Sequence, residues 1–162
     1  MNGDIDAARA AALLSGAITE VCAETAFIDV QPAQAPIGRE IPFNGASIDV
    51  LRPLSCALEL HFTAEFGAKV AGNLFGYASA DGASTDVAST DAHAQDSVLE
   101  LLNIAAGTFL SAFCGAGADI KLELPRFLPG GPELGADAVC SVDFDAEGLP
   151  LRAVLRSIRY RY

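Results

Sequence analysis

Asp96, Glu100 and Asn103, followed by Gly107, recur at i, i+4, i+7 and i+11 inside the apolar-patterned stretch 90–115. At 3.6 residues per turn these positions form one row along a helix, presenting two carboxylates and a carboxamide side by side. A carboxamide has donors and an acceptor, so Asn103 can hold a water by two contacts and aim it, while a carboxylate can meet a cation. The row has no nucleophile, metal-ligand cluster or poised histidine beside it, which suits it to completing a site on another molecule rather than running a hydrolysis alone. Leu99, Ile104 and Leu110 flank it, and exposed leucine gains nothing from water, so the stripe reads as a docking face. The plainer alternative is a solvated outer face, the ordinary fate of polar residues on an amphipathic helix.

The helix that carries the row is the longest helical pattern in the chain. Val98, Leu101, Leu102, Ala105, Phe109, Ala112 and Phe113 fall on the side away from the row, wide enough to be a core face. Ser89 or Thr90 is placed to cap its start, Asp91 complements the dipole in its first turn, and Gly115 ends it.

The literal pattern is more specific than the spacing. Asp96-x3-Glu100-x2-Asn103, with Pro125 following 22 residues after the Asn, resembles the signature of the CheC/CheX/FliY chemotaxis phosphatases, and LELLNIAAG and KLELPRFLPG are similar to family sequence. The resemblance is strongest over 96–131 and compatible in order and length over most of the remaining chain. Two-site members carry a second Glu-x-x-Asn on their first helix. Here Glu20 is followed by Ala23 and Glu24 by Phe27, so that pair is absent and the arrangement is the single-site one of CheX.

The resemblance implies a single CheX-like domain over 1–162, α+β, with long helices packed on one side of a mainly antiparallel sheet and a weak repeat of helix followed by strands. It implies as substrate the phosphoaspartate of a CheY-like response regulator whose own pocket holds Mg2+, with no cofactor in this chain. Asn103 would position the attacking water. Glu100 would pair with the lysine of the partner's pocket, and Asp96, Leu99, Ile104 and Gly107 would complete the docking face, Gly107 letting the partner's backbone come close. A homodimer is implied as well. The rival reading is a non-catalytic scaffold that binds a response regulator or resembles the flagellar switch; loss of Glu-x-x-Asn marks that class, and the motif is intact here. A Ser/His/Asp hydrolase built from Asp91, His93 and Ser97 is disfavoured, because all three sit within two helical turns and no oxyanion-hole loop accompanies them.

Composition agrees with a single folded domain. At 162 residues and 51% apolar the chain can bury a core by itself. Its net charge of −11 repels phosphate backbones and anionic lipid, arguing against nucleic-acid and membrane-surface partners. No run of 18 apolar residues occurs, and Asp4 and Asp6 precede the first apolar stretch, unlike a signal peptide; the expected location is the cytoplasm. Cys22, Cys56, Cys114 and Cys140 lie far apart in apolar segments and are expected to be reduced and mostly buried.

The remaining elements frame the row. Asp6–Thr25 predicts an alanine-rich helix with Ala10, Leu13, Leu14, Ala17, Ile18, Val21 and Cys22 as its apolar stripe. Phe27–Val30 and Ser47–Leu51 predict strands. Cys56–Phe62 predicts a strand with one buried face, placing Glu59 and His61 on the outward set. Thr63 to Gly76 predicts a capped short helix whose interior Gly67 and Gly72 demand either tight packing or marginal stability, and Asn73 on it reads as a surface or capping residue. Tyr77–Ser89 predicts an exposed acidic loop. Asp119–Pro125, Asp137–Asp145 and Leu149–Tyr160 predict strands, the last two joined by a turn at Glu147-Gly148, with Arg152, Arg156, Arg159 and Arg161 as a solubilising edge.

Overall fold

The computed structural model describes residues 5–76, 87–131, 135 and 137–157, with only the backbone of 87–90. Its elements run α1 (Ala7–Ala26), β1 (Val30–Pro32), β2 (Asn44–Arg52), β3 (Cys56–Phe62), α2 (Ala64–Phe75), α3 (Val87–Cys114), β4 (Lys121–Leu122), β5 (Arg126–Leu128), β6 (Ala138–Ala146) and β7 (Leu149–Ser157). The class is α+β. The strands form one antiparallel seven-stranded sheet in the order β1-β6-β7-β3-β2-β4, with β5 also on β2. The helices pack on one side of it. Two hairpins, β2–β3 and β6–β7, meet where β3 pairs with β7. Each hairpin receives short outer strands from the other half, β1 on β6 and β4 with β5 on β2, so the weak repeat is two interlocked halves.

Local chemistry explains the helix ends. The Asp6 carboxylate accepts from the Arg9 N–H at 3.0 Å, and Phe27 closes α1 in the left-handed region at φ 55°. Phe27 is therefore a cap rather than a strand residue, and β1 begins three residues later. Thr63 and Gly76 cap α2 as expected, and Gly67 is explained by tight packing: a Cβ there would meet the Phe62 ring at 3.3 Å and the Ala94 methyl at 3.4 Å. α3 starts at Val87, ahead of the expected caps, which lie inside it. The predicted loop 77–89 otherwise falls outside the described residues. The strand expected over 119–125 shortens to Lys121–Leu122, with β5 starting after Pro125. The 6–7 hairpin turns at Glu147 (φ 52°) and Gly148 (φ 90°), the two-residue loop whose twist matches antiparallel strands.

Over Asp91–Cys114, α3 is long and apolar enough to cross a membrane by composition, but Val98, Leu101, Leu102, Ala105, Phe109 and Leu110 are all in the core. Two expectations on this helix are corrected. Leu110, placed beside the polar row, is fully buried, and Ala112, placed in the core, is exposed. Of the cysteines, all four are free; Cys22 and Cys56 are buried while Cys114 and Cys140 are half-buried. Burial pushes the Cys22 and Cys56 thiols up to about 12, which makes them inert packing groups.

The helix-free face of the sheet overturns two further expectations. All of β3 is buried, including Glu59 and His61, and β7 lies between β3 and β6 rather than at an edge. The register sets Asp143, Arg152, His61 and Gly45 in one cross-strand row and Ser141, Val154, Glu59 and Ser47 in the next. Arg156 donates to Glu59 at 2.7 Å and to Asp137 at 2.8 Å, and Glu59 meets His61 at 3.0 Å. Arg152 grips Asp143 at 2.6 and 3.3 Å and lies over the Phe43 ring. Asp143 also accepts from the Ile37 N–H, so the segment 33–43 is strapped across the face. Arg152 and Arg156 are thus internal clamps, and His61 is no surface histidine. Burial raises the Glu59 and Asp143 carboxyls, but hydrogen bonds from His61 and Arg156, and from Arg152 and Ile37, outweigh it and hold both below the ordinary carboxylate range.

Candidate functional site

The polar row of α3 stands on the opposite side of the molecule from that clamp. Asp96 and Glu100 are exposed; Asn103 and Gly107 are half-buried, and Leu99 and Ile104 are half-buried against the core. The structure therefore brings together every residue that the sequence assigned to the row, with Leu110 removed from its flank. None of the Asp96, Glu100 or Asn103 side chains has a hydrogen bond or ion pair among the described residues. By contrast Asn73, an amide borne on α2, donates to the Ala26 carbonyl at 2.8 Å and so caps α1 from α2. A Cβ built on Gly107 meets nothing within 4 Å.

Neighbouring helices fix how the row is presented. Arg9, in the first turn of α1, donates to the Phe113 carbonyl at 3.0 Å and stacks over the Phe113 ring at 4.7 Å. Phe113 in turn stacks on Phe109. The start of α1 is thereby pinned to the end of α3. On the other flank α2 approaches α3 where Gly67 meets Ala94. Leu110 lies about 60° around the helix from Gly107 and is fully buried in the core. The row itself is left as the outward ridge of a helix braced on both sides.

The hydrolase alternative does not survive the geometry. Ser97 is fully buried and donates its hydroxyl to the His93 carbonyl at 2.6 Å, the back-bond of a helix-interior serine. Among the described residues no group of three or more His, Cys, Asp or Glu could hold a metal ion. The sequence reading missed the Glu59–His61–Arg156 cluster. Its signal was present in the opposite charges at alternate positions of β3 and β7, but it is a structural clamp with no open face.

No protein-family model matches the sequence, and no curated protein matches it. Solved structures do resemble the fold. The CheX of Borrelia burgdorferi, solved as a CheX-CheY-BeF3-Mg2+ complex, superposes with a TM-score of 0.67 at 18% identity, covering 90% of this chain and 95% of that one. CheX from Desulfovibrio desulfuricans gives 0.66 at 17% identity over 91% and 97%. FliY of Thermotoga maritima gives 0.58 at 14% over 95% and 91%. The fold is that of the CheC/CheX/FliY chemotaxis proteins. Of these three, the two CheX structures superpose with higher scores than FliY.

Proposed function

We propose that this chain is a phosphatase of a phosphorylated CheY-like response regulator, acting in the cytoplasm by docking the α3 row against the partner's phosphoaspartate. The observation that carries the reading is that Glu100 and Asn103 engage none of the described residues and stand on one ridge of a helix held from both sides. The CheY-bound Borrelia structure supports the partner class. Asn103 holds the attacking water by donor and acceptor contacts and aligns it with the scissile phosphorus–oxygen bond. Glu100 meets the lysine at the rim of the regulator's pocket, and Asp96, Leu99, Ile104 and Gly107 widen the contact. The metal belongs to the partner: Mg2+ there neutralises phosphoryl charge. A 100-fold acceleration requires about 2.7 kcal/mol of barrier lowering, within reach of one ordered water.

The test follows the decay of a phosphorylated CheY-like protein from the same organism with and without this chain. Asn103→Ala should fold, bind the phosphorylated regulator and lose nearly all acceleration, the signature of an interaction made in the transition state. Asn103→Asp, which keeps the size but adds a charge that repels the phosphoryl group, should fail likewise. A folded Asn103→Ala protein working at the wild-type rate would remove the mechanism and leave the scaffold reading.

A homodimer belongs to the same proposal, and the strand order locates its surface. Described β7 is paired on both sides and has no free edge, whereas β4 and β5 form an outer edge beside Leu124, which is 87% exposed. Light scattering at micromolar concentration should give twice 16.7 kDa; the monomer mass would refute it.

A further inference from the structure

The α3 row does not stand alone on its side of the molecule. Arg9, Gly16 and Glu20 are spaced i, i+7 and i+11, so they return to within about 40° of one another and form one row on α1. Arg9 reaches Phe113, which turns this row toward α3. The helices run antiparallel: the start of α1 meets the end of α3, and the end of α1 joins α2, which contacts the first part of α3 through Gly67 and Ala94. Counting an equal rise back from the Arg9–Phe113 contact, Gly16 stands level with about residues 106–107 and Glu20 level with about residues 102–103. On this count Glu20 comes level with Asn103 along the antiparallel pair of helices, and Gly16 level with Gly107.

Neither glycine is explained by the isolated chain. Both occupy helix interiors without positive φ, a Cβ at either meets nothing within 4 Å, and each costs about 1 kcal/mol of helix stability relative to alanine. Glu20 is exposed and has no ion pair or hydrogen bond among the described residues. The outer surfaces of α1 and α3 carry Glu20, Glu24, Asp91, Asp96 and Glu100 against a single guanidinium, Arg9, which is already engaged with Phe113. Two neighbouring helix rows that carry carboxylates and a glycine each are complementary to a protein surface that brings a cationic group close to the helix backbones.

We propose that α1 is the second rail of the docking surface: the response regulator seats across the α1 and α3 rows, with Glu20 as an additional carboxylate contact level with Asn103 and with Gly16 and Gly107 leaving room for its backbone. This rests on the response-regulator reading, and it extends the contact from one helix to two. Glu20 is a docking residue, touching the partner's rim rather than the reacting atoms.

The experiment titrates the phosphorylated CheY-like receiver from the same organism with the full chain, reading binding directly and decay rate alongside. Gly16→Leu and Glu20→Lys should each raise the half-saturating concentration about tenfold. Gly16→Leu should hold or raise the melting temperature, because the fold accommodates the side chain. Glu65→Lys, the same charge reversal on exposed α2, should leave binding unchanged, which separates a local contact from net charge. Wild-type protein that binds while both α1 variants bind equally well would overturn the two-helix surface and leave docking on α3 alone. Wild-type protein that neither binds nor accelerates decay would overturn the functional reading and this one with it.

Discussion

Two surfaces of this protein carry the same kinds of side chain and use them in opposite ways. On the helix-free face, Glu59, Asp143, Arg152 and Arg156 are all tied to fixed partners at 2.6–3.3 Å, with His61 held on Glu59 at 3.0 Å. On α3, Asp96, Glu100 and Asn103 are tied to nothing among the described residues. The difference is burial. A charge withdrawn from water must be matched inside the chain, so the sheet face had to become a closed network. A charge at an exposed ridge is matched by water, at no cost, until a partner replaces that water. Engaged polar groups hold this fold together, and disengaged ones are what it offers to others.

The strongest way to break the comparison is to unbalance the closed face. Arg156→Ala leaves the buried Glu59 carboxylate with His61 alone and should cost about 3–5 kcal/mol in urea unfolding. Glu100→Ala, the matching deletion on the open face, should stay within about 0.5 kcal/mol of wild type. Equal losses in the two variants would show that the faces do not differ in kind. In activity the order reverses. Asn103→Ala should slow regulator dephosphorylation about 100-fold, or about 2.7 kcal/mol, with an unchanged melting temperature. Glu100→Lys should weaken binding about tenfold, and wild-type binding should fall with added salt, since an exposed ion pair is screened. Salt-independent binding would take Glu100 out of the interface.

Acid sharpens the contrast further. Glu59 and Asp143 titrate below the ordinary carboxylate range when folded, so the stability they add is complete above the unfolded values near 4 and is lost as pH falls through the folded ones. Melting temperature should drop progressively below about pH 4, and Glu59→Gln should remove part of that slope. A wild-type melting temperature that stays level down to pH 2 would show that neither carboxyl is held by its partners. A modest effect is expected at Asn73, whose amide caps α1 from α2. Asn73→Ala should cost about 1 kcal/mol of stability and leave dephosphorylation intact.

What the sequence determined by itself is what local periodicity and capping chemistry can encode. The α3 row follows from spacing within one helix, the ends of α2 from Thr63 and Gly76, and the last hairpin from Glu147-Gly148, all set by neighbours a few residues away. Only the tertiary structure decided where those elements went. Alternation in β3 separates its two faces, yet it cannot say that a segment 20 residues earlier straps across the polar one, so Glu59 and His61 read as exposed and are buried. The arginines of β7 read as an edge because strand order is a nonlocal property; pairing on both sides, with β3 and β6, made them internal clamps. Leu110 belongs beside the polar row on a bare helix, and tertiary packing took it into the core. Burial depends on what arrives from elsewhere in the chain, and no spacing within one element records it.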